Sequence, residues 1–215
     1  MGSEAEAFDR CRACCVTTAD LSRAGWQARY DAGQTGWDRG QASPMLSQWL
    51  AAGDLQPCQI LVPGCGRGHE VLALAEAGFE VTAIDFAESA VQALRAELDR
   101  RSLNANVIQT DIFAFCQRQE FDAVYEQTSL CAIHPTQWET YQQLLACWLR
   151  PEGKLFALFM QSERSDGPPY CCELNQMRAL FPPTAWAWDS DPQRIEHPSG
   201  MHELACVLTR KESEP

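Results

Sequence analysis

The stretch Leu61-Val62-Pro63-Gly64-Cys65-Gly66-Arg67-Gly68-His69-Glu70 decides the fold. Apolar residues 59–62 read as a short strand, three glycines at alternate positions make a tight turn, and 67–77 has the pattern of a helix stopped by Gly78. Residues 79–84 then give a second strand that ends at Asp85. That is one βαβ unit, the element from which parallel sheets are built. Glycines in such a turn let the backbone approach a bound molecule closely. Asp85, 21 residues after Gly64, stands where an acid hydrogen-bonds ribose hydroxyls.

Spacing separates two nucleoside readings of this turn. The dinucleotide fingerprint is G-x-G-x-x-G, whereas Gly64, Gly66 and Gly68 give G-x-G-x-G. Glu70 adds an acid where a pyrophosphate would sit, which a cationic methyl donor tolerates far better. Asp111, at the end of a third strand, is placed to read an adenine amino group, with Ile112 packing on the ring. Asp85 and Asp111 also suit helix caps, and glycines are common in loops. Three such features at strand C-termini, where open α/β sheets bind ligands, favour the nucleoside site.

The flanking chain fits the same plan. Ser43-Pro44 is a cap followed by a first-turn proline, and the helix it opens runs to Ala52 before Gly53. Val91, Leu94 and Leu98 form one helical face, 106–110 and 121–125 are strands, and Pro135 opens a helix reaching Leu149. Arg150-Pro151-Glu152-Gly153 is a turn, and 154–160 is apolar enough to lie centrally in the sheet. After a helix near 173–180, strands 185–188 and 202–209 flank a Pro- and Gly-bearing loop too short for a crossover helix. They pair as an antiparallel hairpin at the sheet edge. The expected fold is α/β: a Rossmann-like, seven-stranded, mostly parallel sheet with helices on both faces.

Composition narrows the function. The chain has 215 residues, 46% of them apolar, the size of one domain with one substantial core. Acids outnumber bases 29 to 17, and the basic residues around Arg95–Arg101 are interrupted by Glu97 and Asp99, so nucleic acid is a poor partner. No run of about 18 apolar residues and no basic-then-apolar N-terminus is present, so no membrane association is expected, and the cytoplasm is. Eleven cysteines, an odd count, fit reduced thiols. Cys11, Cys14 and Cys15 could hold a metal or metalloid with help from Cys171-Cys172, His197 or His202, but a reduced N-terminal segment is preferred and no metal is expected.

The motifs Trp26-x-x-x-Tyr30, Gly36-Trp37-Asp38-x-Gly40, Val62-Pro63-Gly64-Cys65-Gly66-x-Gly68-His69-Glu70, Cys131-Ala132-Ile133-His134-Pro135 and Gly167-Pro168-Pro169-Tyr170 resemble the thiopurine S-methyltransferase superfamily. Within it they are most similar to the thiol, thiocyanate and halide methyltransferases. The resemblance spans 26 to about 181. It implies S-adenosylmethionine as cofactor, with Trp26, Tyr30 and Trp37 lining it, Tyr30 standing for a family tryptophan. It also assigns Gly64, Cys65, Gly66, Asp85, Phe86, Asp111, Ile112 and Gln127 to cofactor binding, Gln127 replacing the tyrosine or arginine usual there. Aromatic faces beside a sulfonium make physical sense. Gly167-Pro168-Pro169-Tyr170 differs from the amino-group motif Asn/Asp-Pro-Pro-Tyr in its glycine and in following the fifth strand, and it shapes the acceptor pocket instead. Residues 1–25 are then a Cys-containing segment and 26–215 a class I methyltransferase domain, a monomer or weak dimer.

The expected reaction is methylation of a small-molecule thiol by in-line displacement. A free thiol of pKa ~8.5 is already a few per cent ionised at neutral pH, so no strong base is required. His134 could take or relay its proton, or simply cap the helix at Pro135, and Arg164 could stabilise the thiolate. A halide, a selenium or tellurium species, or a hydroxyl or amine is the competing acceptor. A non-catalytic cofactor-binding module and a macromolecular methyltransferase are the remaining alternatives.

Overall fold

A computed structural model describes residues 19–118, 120–162 and 166–212. Its elements in chain order are α1 (Arg23–Asp31), α2 (Pro44–Ala52), β1 (Gln59–Pro63), α3 (His69–Glu76), β2 (Glu80–Asp85), α4 (Glu88–Arg101), β3 (Asn106–Gln109) and β4 (Phe121–Gln127). There follow α5 (Trp138–Trp148), β5 (Leu149–Gln161), α6 (Leu174–Leu180), β6 (Trp186–Trp188), β7 (Gln193–Glu196) and β8 (His202–Arg210). One mixed sheet runs in the order β3-β2-β1-β4-β5-β8-β6, parallel from β3 to β5 and antiparallel at β8 and beyond. The chain leaves β1 toward β2 on one side and reaches β4 on the other. The ends of β1 and β4 therefore mark the switch point where open sheets leave a crevice.

Local chemistry accounts for the helix limits. The Ser43 hydroxyl accepts from Met45 N at 3.3 Å, Pro44 occupies the first turn, and Gly53 closes α2 in the left-handed region (φ 77°). Strand residues alternate between two cores. Ile60, Val62, Val81, Ala83 and Tyr125 pack with α2, α3 and α4, while Leu61, Ile84, Val124, Leu155 and Phe159 pack with α5 and α6. Helices thus cover both faces, as the runs of consecutive apolar strand residues require.

Four local details differ from the sequence reading. The turn at Arg150-Pro151-Glu152-Gly153 is absorbed into β5 as a bulge, because the register jumps from Phe121↔Leu149 to Ala123↔Lys154 with Glu152 at φ 62°. The loop before β8 contains β7, which pairs the first half of β8 while β6 pairs the second half. Both lie on one edge of β8, and Pro192, which has no amide to give a ladder, falls in the gap between them. Pro135 opens a single 3-10 turn, Pro135–Gln137, before α5 begins at Trp138. Finally, α1 starts at Arg23, three residues ahead of the expected domain start, with Ser22 as its cap.

Candidate active site

The glycine turn after β1 is held from two sides. The Cys65 amide donates to Ile84 O at 3.0 Å, and the Gly66 amide donates to Asp85 Oδ2 at 2.9 Å, so the ends of β1 and β2 are tied together. Asp85 Oδ1 accepts from Ala87 N at 2.8 Å at the entrance to α4. Its carboxyl is buried, and burial raises its pKa. Gly64, at φ 57°, meets the turn after β4: a Cβ there would lie 2.2 Å from Ser129 Oγ, which itself donates to Pro63 O. Gly68, at φ 73°, presses on Leu94 of α4, where a Cβ would fall 2.3 Å from a methyl carbon. In this structure, then, the glycines are demanded first by strand and helix packing.

An aromatic wall faces the turn. Trp37 meets Trp26 edge-to-face at 5.2 Å and Tyr30 at 5.6 Å. Trp26 and Tyr30 share a face of α1, one turn apart, and Arg29 between them stacks over the Trp26 ring at 4.4 Å. Trp37 is fixed through its neighbour: Asp38 accepts from Gly40 N at 2.7 Å and meets His69 Nε2 at 2.8 Å and Arg67 at 3.5 Å. Behind it, His197 Nε2 lies 3.3 Å from Trp37 O.

These groups line a cavity of about 780 Å³ at the C-terminal edge of the sheet. Trp26, Tyr30, Trp37, Gly64, Asp85, Phe86, Asp111, Ile112 and His134 all border it, together with Pro168 and Pro169. Asp111 also caps its own turn, its Oδ1 accepting from Phe113 N at 2.8 Å. His134 caps its turn and also borders the cavity. Its Nδ1 lies 3.3 Å from Thr136 N and 2.8 Å from Thr136 Oγ1 as a cap, and its ring meets Tyr170 at 5.4 Å on the cavity rim. Cys65, Gly66 and Gln127 instead border a separate cleft of about 60 Å³ that shares Tyr30, Trp37, Gly64 and Thr128 with the large one. Burial pushes the Cys65 thiol well up.

One reading is corrected. Glu70 borders the small cleft beside the turn and not the large cavity, and its Oε1 accepts from Ser43 N at 3.0 Å, linking α3 to the cap of α2, while burial raises its pKa. Arg164, Cys11, Cys14 and Cys15 lie outside the described residues. Among the described residues no group of three or more His, Cys, Asp or Glu is disposed to hold a metal. Of the other candidate ligands, His197 is engaged with Ser199 at 2.6 Å, and Cys171 Sγ accepts from Ser162 N at 3.4 Å.

Several contributors were absent from the sequence reading. Met160, Met201, Cys131 and Phe113 line the cavity from β5, the β7–β8 turn and the segments after β4 and β3. Glu203, wholly buried in β8, pairs with Arg39 and accepts from Gln127 Nε2 at 3.3 and 3.4 Å. Glu126, wholly buried at the end of β4, accepts from Leu130 N at 2.7 Å and shapes the 3-10 turn that carries Cys131. An acid inside an otherwise apolar strand is a sequence signal for such a role, and both Glu126 and Glu203 carry it.

The residues present fit an adenosyl cofactor. Strand-end acids face an apolar cavity, the glycine turn meets the turn after β4 where a side chain would not fit, and the buried Arg29 Nη1 and Arg39 Nε have no partner among the described residues. The structure defines a class I methyltransferase fold. A similar fold occurs in the Burkholderia thailandensis 1,6-didemethyltoxoflavin-N1-methyltransferase solved with S-adenosylhomocysteine (TM-score 0.76, 22% identity, 90% of this chain and 89% of that one). The profile of the thiopurine S-methyltransferase family matches residues 21–195. The probable thiol methyltransferase 2 of Arabidopsis thaliana is 30% identical over 168 residues, 77% of this chain and 74% of the relative. Thiocyanate methyltransferase 1 of Brassica oleracea is 27% identical over 191 residues, 86% and 84% of the two chains. The chain belongs to the thiopurine S-methyltransferase family and is an S-adenosylmethionine-dependent S-methyltransferase.

Burial raises the Glu126 pKa from 4.5 to about 7. The folded protein therefore holds a proton that the unfolded chain has released, and stability falls as pH rises through that window. The full effect above it is on the order of 3 kcal/mol. Urea midpoints measured between pH 4.5 and 7.5 are expected to decline less steeply for Glu126→Gln, whose amide oxygen can still accept from Leu130 N. Parallel declines for the two proteins would rule the assignment out.

Proposed function

We propose that the methyl acceptor is a small-molecule thiol. The observation that carries this reading is the continuity of one cavity from the acids Asp85 and Asp111 to a half walled by Phe113, Cys131, Ile133, Met160 and Pro168. The first half suits a nucleoside and the second a soft, weakly hydrated acceptor. The names of the relatives, thiol and thiocyanate methyltransferases, support the same acceptor class.

When bound, S-adenosylmethionine supplies an electrophilic methyl group on a sulfonium. The remaining work falls to the chain. Asp85 would accept from ribose hydroxyls and Asp111 from the adenine amino group, and Phe86 and Ile112 would give the base apolar surface. Trp26, Tyr30 and Trp37 present ring faces and edges around the sulfonium. The apolar acceptor half excludes water, so that an attacking thiolate is aligned rather than solvated, and positioning alone can contribute several kcal/mol. An alcohol would need a strong base. The buried acid nearest the acceptor turn, Glu126, is spent on Leu130 N instead. His134 is the proton acceptor or relay. Arg164 keeps the role of thiolate partner expected for it, and Arg29 is a cation that borders the cavity. The eight described cysteines are unpaired thiols, in keeping with a cytoplasmic enzyme.

Two measurements test this reading. Thiols, thiocyanate, iodide, alcohols and amines incubated with enzyme and methyl donor should show a one-methyl mass gain for the thiols first; a gain confined to alcohols or amines would refute it. His134→Ala should lower kcat/KM for a thiol by roughly tenfold or more near neutral pH, the deficit shrinking above the thiol pKa as thiolate forms unaided. Identical pH profiles would remove His134 from the mechanism. For the cofactor half, Asp85→Ala should weaken S-adenosylhomocysteine at least tenfold by calorimetry, as expected for lost charge-assisted hydrogen bonds of roughly 1.5–3 kcal/mol. Unchanged affinity would disprove the ribose contact.

A further inference from the structure

We infer that the Arg39 guanidinium, in the small cleft beside the Gly64 turn, is the binding partner for the carboxylate of the cofactor's amino-acid tail. The inference rests on the cofactor assignment above and concerns a residue that neither motif nor family position singles out: Arg39 is the unspecified position of Trp37-Asp38-x-Gly40.

Four observations converge on it. The Arg39 side chain is 7% exposed, yet it borders the cleft. Two of its nitrogens are committed, Nη2 to Glu203 and Nη1 to Glu196 O at 3.0 Å, while the buried Nε has no acceptor among the described residues. A buried N–H without a partner is costly, and a carboxylate supplies the missing acceptor. The cleft, about 60 Å³, has room for a carboxylate and none for a nucleoside, and it adjoins the large cavity at Gly64 and Thr128, where the tail of a nucleoside seated against Asp85 would emerge.

Gln127 cannot take this task as a cation would. It is neutral, and its amide hydrogens are turned to Glu203. Arg39 pairs with the same Glu203 and keeps an unpartnered N–H, at Nε, that Gln127 lacks. The other charged groups bordering the cleft are already paired or hydrogen-bonded. Asp38 is paired with His69 and Arg67, and the Glu70 carboxyl is turned to Ser43 N. Arg67 is itself half exposed and committed to Asp38.

Calorimetry on the full chain with two ligands separates this role from a structural one. S-adenosylhomocysteine carries the tail, and 5′-methylthioadenosine has the same nucleoside and sulfur without it. In Arg39→Met the affinity for S-adenosylhomocysteine should fall tenfold or more, while that for 5′-methylthioadenosine stays within twofold. Because this change leaves Glu203 buried without its partner, the double variant Arg39→Met/Glu203→Met removes the pair as a unit and should show the same selective loss; Arg39→Lys should restore part of it. Equal losses for both ligands, or no loss for either, would overturn the inference. Absence of S-adenosylhomocysteine binding by the unaltered protein would instead defeat the cofactor assignment on which it rests.

Discussion

The Asp85 carboxylate holds two backbone amides at once, Gly66 in the turn after β1 and Ala87 at the entrance to α4, and the floor of the cavity depends on that pair of bonds. Neither amide has a ladder partner, since one belongs to a turn and the other to a helix start, where orphan donors are the rule. By satisfying both, Asp85 fixes the spacing between the ends of β1 and β2 and keeps its own acid group at the strand edge. The cost is a carboxyl held in a buried setting that disfavours its charge. Part of that cost is offset by the two amide bonds.

From this floor the walls follow by packing. The Gly64 turn can approach Ser129 because no Cβ intervenes, and that approach brings the turn after β4, with Cys131 and His134, to the same cavity as the turn after β1. On the opposite side the Trp37 segment has little secondary structure of its own. It is clamped by Asp38 to His69 of α3, by Arg39 to Glu203 of β8, and through its carbonyl by His197. Two of these three anchors come from β8 and the turn before it, so the C-terminal edge of the sheet stabilises an N-terminal wall.

That long-range closure explains what was and was not legible in the sequence. The βαβ unit was legible because its signals are local: a strand, a glycine turn, a helix stop at Gly78, an acid at the next strand end. Trp26, Tyr30 and Trp37, named by the family resemblance, lie together on the cavity wall. Strand β7 was hidden because Gln193–Glu196 has one buried residue, Ile195, and so no alternation to read; its pairing is dictated by β8. Glu70 was misplaced because position along a helix does not reveal which neighbour, here Ser43 N, captures a flexible carboxylate. Arg39 and Glu203, 164 residues apart, are each unremarkable alone, and only the sheet order makes them partners.

The distribution of charge around the cavity has a chemical logic of its own. Methyl transfer from a sulfonium to a thiolate consumes one positive and one negative charge, so a fixed carboxylate beside the sulfur would stabilise the reactant more than the transition state and slow the step. Carboxylates are useful farther off, where they add to affinity for a cation without following the charge as it disappears. The acids Asp85 and Asp111 stand at the ends of β2 and β3, on the side proposed for the nucleoside, whereas Phe113, Cys131, Ile133 and Met160 give apolar and sulfur surface to the side proposed for the acceptor. Two wholly buried acids, Glu126 and Glu203, are turned to Leu130 N and to Arg39. Sheet position thus separates the charge that binds from the dry surface on which charge can vanish, and the separation follows from strand ends that alternate between polar caps and apolar core.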